Sequence, residues 1–335
     1  MTGDFLEETY RHSFPAKLTL ERTLCFAAAL SELPAARNYL FDATELAFAS
    51  PFGMLLAATA LRRFSEAAKA RNATTVCIPS RAEGLDYLSH MGFWKSFGAQ
   101  LGKKPGDARG GEGYIPIRQL KTGELRGGTP IYGHAEPESA ADAAERHAHD
   151  ATDVLLQGAK GALRTTVGYA IRELFRNVFD HSRSPMLWYC GQYWPSQDRV
   201  EIAILDEGRG ILASLRDNPN IAVSSEGDAI KLATQQGVSG VQAATNPNCP
   251  NSGDGLFVLR RVADHAGNFF ILSNSEGVYF EGFKTADYST VFAGTAIRIE
   301  LRPSLLKSGI LSDTLNKLEG KKPSRLTPSR LARLQ

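Results

Sequence analysis

The amino-acid sequence predicts an α/β protein of two units joined by a Gly- and Pro-rich segment. The chain has 335 residues, which suits two domains of ordinary size. Hydrophobic residues form 43% of it and charged residues 22%, a globular composition with enough apolar mass for two cores. Strand-like and helix-like segments alternate in the first hundred residues, whereas helices precede a run of strands in the second half.

The first unit is predicted over residues 15–100 as a small α/β domain. Its elements are expected from apolar spacing and from short buried runs. In order, they are a helix at 18–33, a strand at 39–41, a helix opened by Pro51 and Gly53, a strand at 74–78 and a helix with aromatic residues at 83–98. Ser50 stands directly before Pro51, so capping this helix is its expected role.

Residues 101–135 are rich in Gly, Pro and charge and are predicted to be a linker, partly pinned by a strand-like stretch at 114–117. The second unit is predicted over 136–303 as an α/β sandwich, with a mixed sheet on one side and helices on the other. Its expected elements are one or two helices within 136–180, strands at 186–194 and 200–206, a polar insert at about 208–252, a helix from Leu256, and strands at 269–274, 278–283 and 295–301. The basic tail, 304–335, is expected to be a flexible, solvated end.

Composition excludes several classes of function. A formal net charge of +2 is too small to indicate binding to nucleic acid or to a membrane surface. No apolar stretch is long enough to span a bilayer, and the polar N-terminus does not resemble a signal peptide. The four cysteines form no CxxC pair, so we expect small buried thiols in a reduced, cytoplasmic protein: Cys25, Cys77, Cys190 and Cys249.

One helical motif carries polar residues at a regular spacing. In RELFRNVFDH, at 172–181, Glu173, Asn177 and His181 recur every four residues and therefore fall on one helical face. An Asn carbonyl oxygen can bind Mg²⁺, which prefers oxygen ligands. A Glu one turn earlier can activate an attacking water or hydroxyl.

Three further fragments follow in the second unit. In AILDEGRGI an acidic residue ends an apolar strand and glycines follow, an arrangement that can bind an exocyclic amine and let backbone approach a planar base. In GDGLF two glycines precede a helix whose free N–H groups can bind phosphate. A Gly-Thr pair opens the last strand. Each fragment is weak alone, but the four in this order indicate a nucleotide site; the candidates after the helix are Asp206, Gly208, Gly210, Gly253, Gly255 and Thr295.

The order Glu-x3-Asn-x3-His, Asp-x-Gly-x-Gly-Ile, Gly-x-Gly-Leu and Gly-Thr resembles the conserved boxes of GHKL (Bergerat-fold) ATPases over about residues 150–302. The helix motif is most similar to the anti-sigma-factor serine kinases. The resemblance implies ATP and Mg²⁺ as cofactors. By that match Glu173 is the general base, Asn177 the Mg²⁺ ligand, Asp206 and Thr295 lie at adenine, Gly208 and Gly210 line the base pocket, and Gly253 and Gly255 lie by the phosphates.

The first unit resembles a STAS domain, the fold of anti-anti-sigma factors, over residues 39–63. Phosphorylated members carry Asp-Ser-Ser-Gly before the apolar helix; here Ser50 has no preceding Asp and Pro51 replaces the second Ser. A sensor histidine kinase is not expected, because His147 and His149 lack the flanking pattern of a phosphoacceptor and are best interpreted as a solvated helix face.

Three functions remain open from the sequence. The first is an ATP- and Mg²⁺-binding regulator whose nucleotide state controls protein–protein interaction, with or without slow hydrolysis. The second is an anti-sigma-type protein serine kinase that acts on a STAS-like partner. The third is a non-catalytic nucleotide-binding interaction protein. A protein partner is expected in each case, and a homodimer is an expectation from the family alone.

Overall fold

The computed structural model describes residues 9–79, 83–111, 113–122, 140–156, 158–240, 253–306 and 309–319. Helices and sheets are both present in these ranges, which confirms the predicted α/β class. Within the same ranges, every helix is too short or too polar to cross a membrane.

The first unit contains a parallel three-stranded sheet, with the strand order β1-β3-β5. Its elements are β1 (Thr9–Ser13), β2 (Lys17–Leu18), α1 (Leu20–Ser31), β3 (Asn38–Asp42), β4 (Phe48–Ala49), α2 (Pro51–Ala70), β5 (Thr74–Ile78), α3 (Glu83–Met91) and α4 (Phe93–Ser96). The predicted helices and strands are confirmed to within a few residues. The polar strand β1 and the short parallel pair β2–β4 were not predicted, because neither shows apolar alternation.

Helix α2 begins as its sequence predicts. The Ser50 hydroxyl accepts a hydrogen bond from the backbone N–H of Gly53 at 3.1 Å, and Pro51 is the first helical residue. The capping role of Ser50 is therefore confirmed. A Cβ on Gly53 would lie 2.2 Å from the carbonyl oxygen of Leu18, so glycine allows α2 to approach β2 closely.

The second unit is built on a seven-stranded sheet of order β11-β10-β9-β12-β8-β7-β6. Its elements are β6 (Tyr114–Lys121), α5 (Ala140–Leu155), α6 (Ala162–Asn177), β7 (Met186–Trp194), β8 (Arg199–Asp206), α7 (Gly210–Leu215), α8 (Glu226–Ala233), α9 (Gly255–Ala266), β9 (Gly267–Ser273), β10 (Glu276–Glu281), β11 (Lys284–Ser289), β12 (Thr295–Leu301) and α10 (Ile310–Glu319). Every strand pair in this sheet is antiparallel. The expectation of a mixed sheet was wrong, because short hairpins join β7 to β8 and β9 to β10 and β11, and hairpins pair strands antiparallel.

Parts of the predicted linker and tail belong to the packed structure. Strand β6 lies within the predicted linker 101–135 and pairs with β7 as the edge of the sheet. In the tail, Leu311 and Leu318 of α10 are buried in the same core as α9. The expectation of a solvated end was therefore wrong for 310–319, because these leucines give α10 an apolar face. Residues 320–335 lie outside the described part.

The seven-stranded sheet is buried on both faces. One face packs against α5, α6, α9 and α10, and the other forms a core with the first unit. Along β8 the two faces alternate: Ile202 and Ile204 point to the helical layer, whereas Ala203 and Leu205 point to the first unit. The ring centre of Phe52, in the first turn of α2, lies 5.4 Å from the ring centre of Phe270 in β9. The second core is thus shared by both halves of the chain.

A buried charge anchors the start of α2 on the sheet. Glu201 of β8 is fully buried, and its Oε1 accepts a hydrogen bond from the backbone N–H of Phe52 at 3.0 Å. Its Oε2 lies 3.2 Å from Nε of Arg298 in β12, which compensates the charge. A carboxylate at a helix N-terminus also interacts favourably with the helix dipole. The contact fixes where α2 lies along β8.

The described cysteines are free thiols. Cys190 is buried and Cys77 is partly buried, as expected, and burial raises the pKa of the Cys77 thiol to about 12. Cys25 is exposed on α1, which corrects the expectation that all four are buried. The other side of α1, which includes Leu24 and Phe26, packs against the rest of the first unit. Cys249 lies outside the described residues.

Replacing Phe52 with alanine tests the packing of α2 on the sheet. Because Phe52 is 1% exposed in the shared core, Phe52→Ala should reduce the free energy of unfolding by about 3–5 kcal/mol in urea denaturation. Phe283, at the β10–β11 hairpin, is 102% exposed and provides a matched control. Phe283→Ala should change the free energy of unfolding by less than about 0.5 kcal/mol. Equal stability of the two variants would contradict a shared core.

Candidate functional site

The structure brings the four sequence motifs together at one end of the second unit. The loop after β8 packs on the end of the motif helix: Arg209 donates its backbone N–H to the Ser182 carbonyl at 3.0 Å. Thr295 pairs with Asp206 across β12 and β8. At the start of α9, a Cβ on Gly255 would lie 2.6 Å from Oε2 of Glu173. The predicted order of motifs thus corresponds to one cluster in space.

Three polar residues form a row across the ends of neighbouring strands. Asp206 of β8 is opposite Thr295 of β12, which is in turn opposite Ser273 of β9. The alternation of β8 places Asp206 on the same face as Ile202 and Ile204, toward the helical layer that contains Glu173 and Asn177. All three side chains therefore belong to the face of the sheet on which the motif helix packs.

Asp206 is a buried carboxyl, 3% exposed. Its Oδ1 accepts a hydrogen bond from the backbone N–H of Gly208 at 2.8 Å, and the Thr295 side chain also bonds to it. Burial outweighs these bonds and raises the pKa of Asp206 to about 7. The groups that set this pKa include no cation among the described residues. A carboxyl of this kind can accept a hydrogen bond from a ligand amine in place of the water it has lost.

Asn177 has an unsatisfied polar atom. It is the last residue of α6, and a π-helical turn, Val178–Ser182, follows it. Its Nδ2 is buried and has no hydrogen-bond partner within the described part of the chain. Buried amides are nearly always hydrogen-bonded, so this atom requires an explanation such as a ligand. The motif predicts a helix that continues through His181, but the α-helix ends at Asn177 and His181 lies on the π turn, so the expected common face is wrong for His181. Turns of this kind are frequent at functional sites.

His181 lies on the π turn, beside the loop after β8. Its backbone carbonyl accepts a hydrogen bond from Nε of Arg209 at 2.9 Å, and burial lowers the pKa of its imidazole. Close packing explains the first glycine of the loop, because a Cβ on Gly208 would lie 2.1 Å from the Ser182 carbonyl oxygen. The π turn and the glycine loop therefore support each other.

Glu173 is held by two arginines that the sequence reasoning missed. Its Oε1 accepts a hydrogen bond from Arg172 at 2.8 Å and lies 3.8 Å from Nη1 of Arg176. Arg172 also stacks over the ring of Tyr169, with 5.0 Å between guanidinium carbon and ring centre. The two arginines have the same four-residue spacing as the predicted motif, a signal that was present in the sequence. The two arginines and the N-terminus of α9 therefore lie around the carboxylate of Glu173.

A second group that the sequence reasoning missed lies at the ends of β9 and β12. Glu226, at the start of α8, is buried; its Oε2 accepts from the Ser273 hydroxyl at 2.6 Å and its Oε1 from Nδ2 of Asn274 at 2.6 Å. Asn274 in turn accepts a hydrogen bond from the backbone N–H of Gly294 at 2.9 Å. This network joins the insert to the ends of β9 and β12. It was not predictable locally, because Glu226 is far from both strands in sequence.

Two glycines pack closely against this network. Gly210 has φ +81°, and a Cβ there would lie 2.2 Å from Nδ2 of Asn274. Gly294 has φ +115°, and a Cβ there would lie 2.1 Å from the Asp206 carbonyl oxygen. Both positions therefore require glycine for space and for backbone conformation. Gly253 differs, since it packs against Val238 of the insert, with a Cβ distance of 2.7 Å to that carbonyl oxygen.

The residues present fit Mg²⁺ only together with an oxygen-rich ligand. No group of three or more His, Cys, Asp or Glu side chains that could hold a metal occurs among the described residues. Asn177 can supply one carboxamide oxygen. Mg²⁺ binds octahedrally and is often held by one or two protein oxygens plus substrate phosphates and waters. The donor set therefore fits an ion that arrives with a polyphosphate.

Comparison with known protein families finds no family model that matches this chain, and comparison with curated proteins finds no similar sequence. The interpretation of the site therefore depends on its own residues and geometry.

The raised pKa of Asp206 predicts a pH-dependent stability in the absence of ligand. Between about pH 4 and 7 the folded protein keeps a proton on Asp206 that the unfolded chain loses, so the free energy of unfolding falls as the pH rises through this range. Between pH 5 and pH 8 the free energy of unfolding should fall by about 2–3 kcal/mol more in the wild type than in Asp206→Asn, whose side chain cannot ionise. Urea denaturation at both pH values measures the difference. Asp287→Asn, at an exposed carboxylate, should behave as the wild type does, and parallel pH profiles for the wild type and Asp206→Asn would contradict the prediction.

Proposed function

We propose that this protein binds ATP with Mg²⁺ where the four motifs meet, and that its nucleotide state controls its interaction with a protein partner. One observation carries the proposal: a buried carboxyl, Asp206, lies in a row with Thr295 at the strand ends and faces the layer of the motif helix. Burying a carboxylate without a cation costs free energy. A ligand that donates a hydrogen bond there recovers part of that cost.

The base would bind at the strand ends. An exocyclic amine is a neutral donor that suits the Asp206 carboxylate, and the Thr295 hydroxyl lies beside it. The glycine loop, with Gly208 and Gly210, lets backbone lie flat against a planar ring. Above about pH 7, where Asp206 is ionised, these features favour adenine over a base that presents a carbonyl group at the same position, because the carbonyl oxygen would face a carboxylate.

The phosphates would extend toward Glu173 and the start of α9. Arg172, Arg176 and the free N–H groups of α9 supply positive potential there. Asn177 would contribute an oxygen to Mg²⁺, and its unsatisfied Nδ2 would gain a partner. Mg²⁺ would neutralise phosphate charge. Glu173 would accept a proton from an attacking water or hydroxyl.

A regulator is the form of this function that the architecture favours. The first unit, which the sequence likens to a STAS domain, packs directly on the sheet that carries Asp206. The anti-sigma-type serine kinase is the second candidate, favoured by Glu173 next to Gly255, and its substrate would be a STAS-like partner.

Nucleotide binding can be measured directly with a fluorescent ATP analogue and Mg²⁺. Asp206→Asn preserves shape but removes the carboxylate charge, so we expect the affinity to fall at least about tenfold. Asp287→Asn removes a surface carboxylate that pairs with Lys231 and should bind as the wild type does. Guanine nucleotides, which carry a carbonyl in place of the adenine amine, should compete poorly. Equal affinities of the two variants would exclude Asp206 as the base contact.

The fate of the γ-phosphate distinguishes the candidate functions. Incubation with labelled ATP and Mg²⁺, alone and with candidate partners, gives label on a protein for a kinase, free phosphate for an ATPase, and bound nucleotide alone for a binding switch. If turnover occurs, Glu173→Gln should reduce it by about 10²–10⁴-fold with nucleotide affinity within a few fold of wild type. Full turnover by Glu173→Gln would exclude the general-base role.

A further inference from the structure

Two arginines of α2 hold the residue that directly follows Asp206. Arg62 Nη2 lies 2.5 Å from Glu207 Oε1, and Arg63 Nε lies 2.9 Å from Glu207 Oε2. Each oxygen of one carboxylate thus has its own guanidinium. All three side chains are at most 30% exposed, so water screens these pairs less than it screens surface ion pairs. The two arginines also hold the pKa of Glu207 below its ordinary value.

The same arginines reach the second segment of the candidate site. Arg63 donates through Nη2 to the carbonyl of Ala293 at 2.7 Å and lies over the ring of Phe292, 5.1 Å from its centre. Ala293 directly precedes Gly294 and Thr295. Arg62 stacks over Trp188, with 5.2 Å to the ring centre. Helix α2 therefore contacts both backbone segments that flank Asp206, from the face opposite to the candidate nucleotide site.

The position of α2 along the sheet is fixed at two points. At its start the N–H of Phe52 bonds to Glu201, and ten residues later Arg62 bonds to Glu207. Ten helical residues rise about 15 Å. Six strand residues, from Glu201 to Glu207, span about 20 Å. The two contacts follow in the same order along helix and strand, so α2 and β8 run side by side in the same direction. The long Arg62 side chain spans the difference of about 5 Å, and α2 reaches the loop that carries the glycines.

We propose that Arg62 and Arg63 are positioning residues for the nucleotide site, through which the first unit sets nucleotide affinity. This inference rests on the proposed nucleotide function. The contacts of the two arginines within the described part of the chain lie on the face of the sheet opposite to the candidate site. They hold Glu207 and Ala293, and these hold the backbone of Asp206, Gly208 and Thr295 in a binding geometry. By linkage, a partner that breaks the contacts of Arg62 and Arg63 with Glu207 and Ala293 weakens nucleotide binding, and bound nucleotide opposes that change to the same extent.

The experiment compares Arg62→Gln/Arg63→Gln with Arg71→Gln in the full chain. Arg71 is exposed at the end of the same helix and serves as the matched control. With the fluorescent ATP analogue and Mg²⁺, we expect Kd to rise at least about fivefold for the double variant and to stay within twofold for the control. Hydrogen exchange of the nucleotide-free protein should be faster for amides at 207–211 and 293–295 in the double variant. Exchange of α5 should be unchanged, which shows that the variant is folded.

A second series tests whether the effect passes through Glu207. Glu207→Gln alone should weaken binding by no more than the double arginine variant does, because that variant also loses the bond from Arg63 to Ala293. Adding Glu207→Gln to the double arginine variant should weaken binding little further, because the arginines are the partners that Glu207 then already lacks. Additive losses would overturn the proposal, as would a wild-type Kd for the double variant when the wild type binds nucleotide. Absence of nucleotide binding by the wild type would overturn both the proposed function and this inference. Additive losses, or a wild-type Kd for the double variant, would refute this inference and leave the proposed function intact. If the glutamine variant fails to fold, Arg62→Lys/Arg63→Lys takes its place, because lysine keeps the charge but not the fork geometry, and the same two results decide.

Discussion

The packing of α2 on the second face of the seven-stranded sheet is the contact on which the rest of the structure depends. It converts a sheet with one open face into a layer buried on both sides, and it explains why β8 is apolar almost throughout. A large side chain buried in that contact contributes about 1.5–3 kcal/mol, and Phe52, whose ring contacts that of Phe270, belongs to it. Without α2, Trp188 and Phe270 would be left in water.

Charge in the same contact determines its register. The ion pair between Glu201 and Arg298 is buried, and desolvation of the two ions offsets much of their attraction. Its larger effect is on geometry, since Glu201 also accepts from the first turn of α2. A helix shifted by one turn would leave a buried carboxylate without that donor. Apolar packing thus supplies most of the stability of this interface, and the buried carboxylate selects one alignment of helix and strand.

The sequence predicts the local elements well and their assembly poorly. Strands 74–78 and 295–301 match β5 and β12 to the residue, because each is a short run with turn signals at its ends. Short connections account for the hairpin pairs, but the pairing of β12 with β8 and β9 and that of the edge strand β6 with β7 depend on contacts between distant segments, which periodicity does not contain. In the site, the spacing of Glu173 and Asn177 is a local signal and was predictable. Glu226 is not marked by any local pattern, since its role exists only after the insert folds over β9.

The neighbouring carboxyls of Asp206 and Glu207 lie on opposite faces of the sheet. Alternation along β8 directs Asp206 to the helical layer, whereas Glu207 is bound on the opposite side by α2. Arg62 and Arg63 thereby compensate the charge of Glu207, and none of the groups that set the pKa of Asp206 is a cation. The charge of Glu207 even adds to the raised pKa of Asp206. The first unit therefore does more than cover the sheet: by taking up one carboxylate it helps to leave the other as an acceptor at the strand end, where a donor on a ligand can use it.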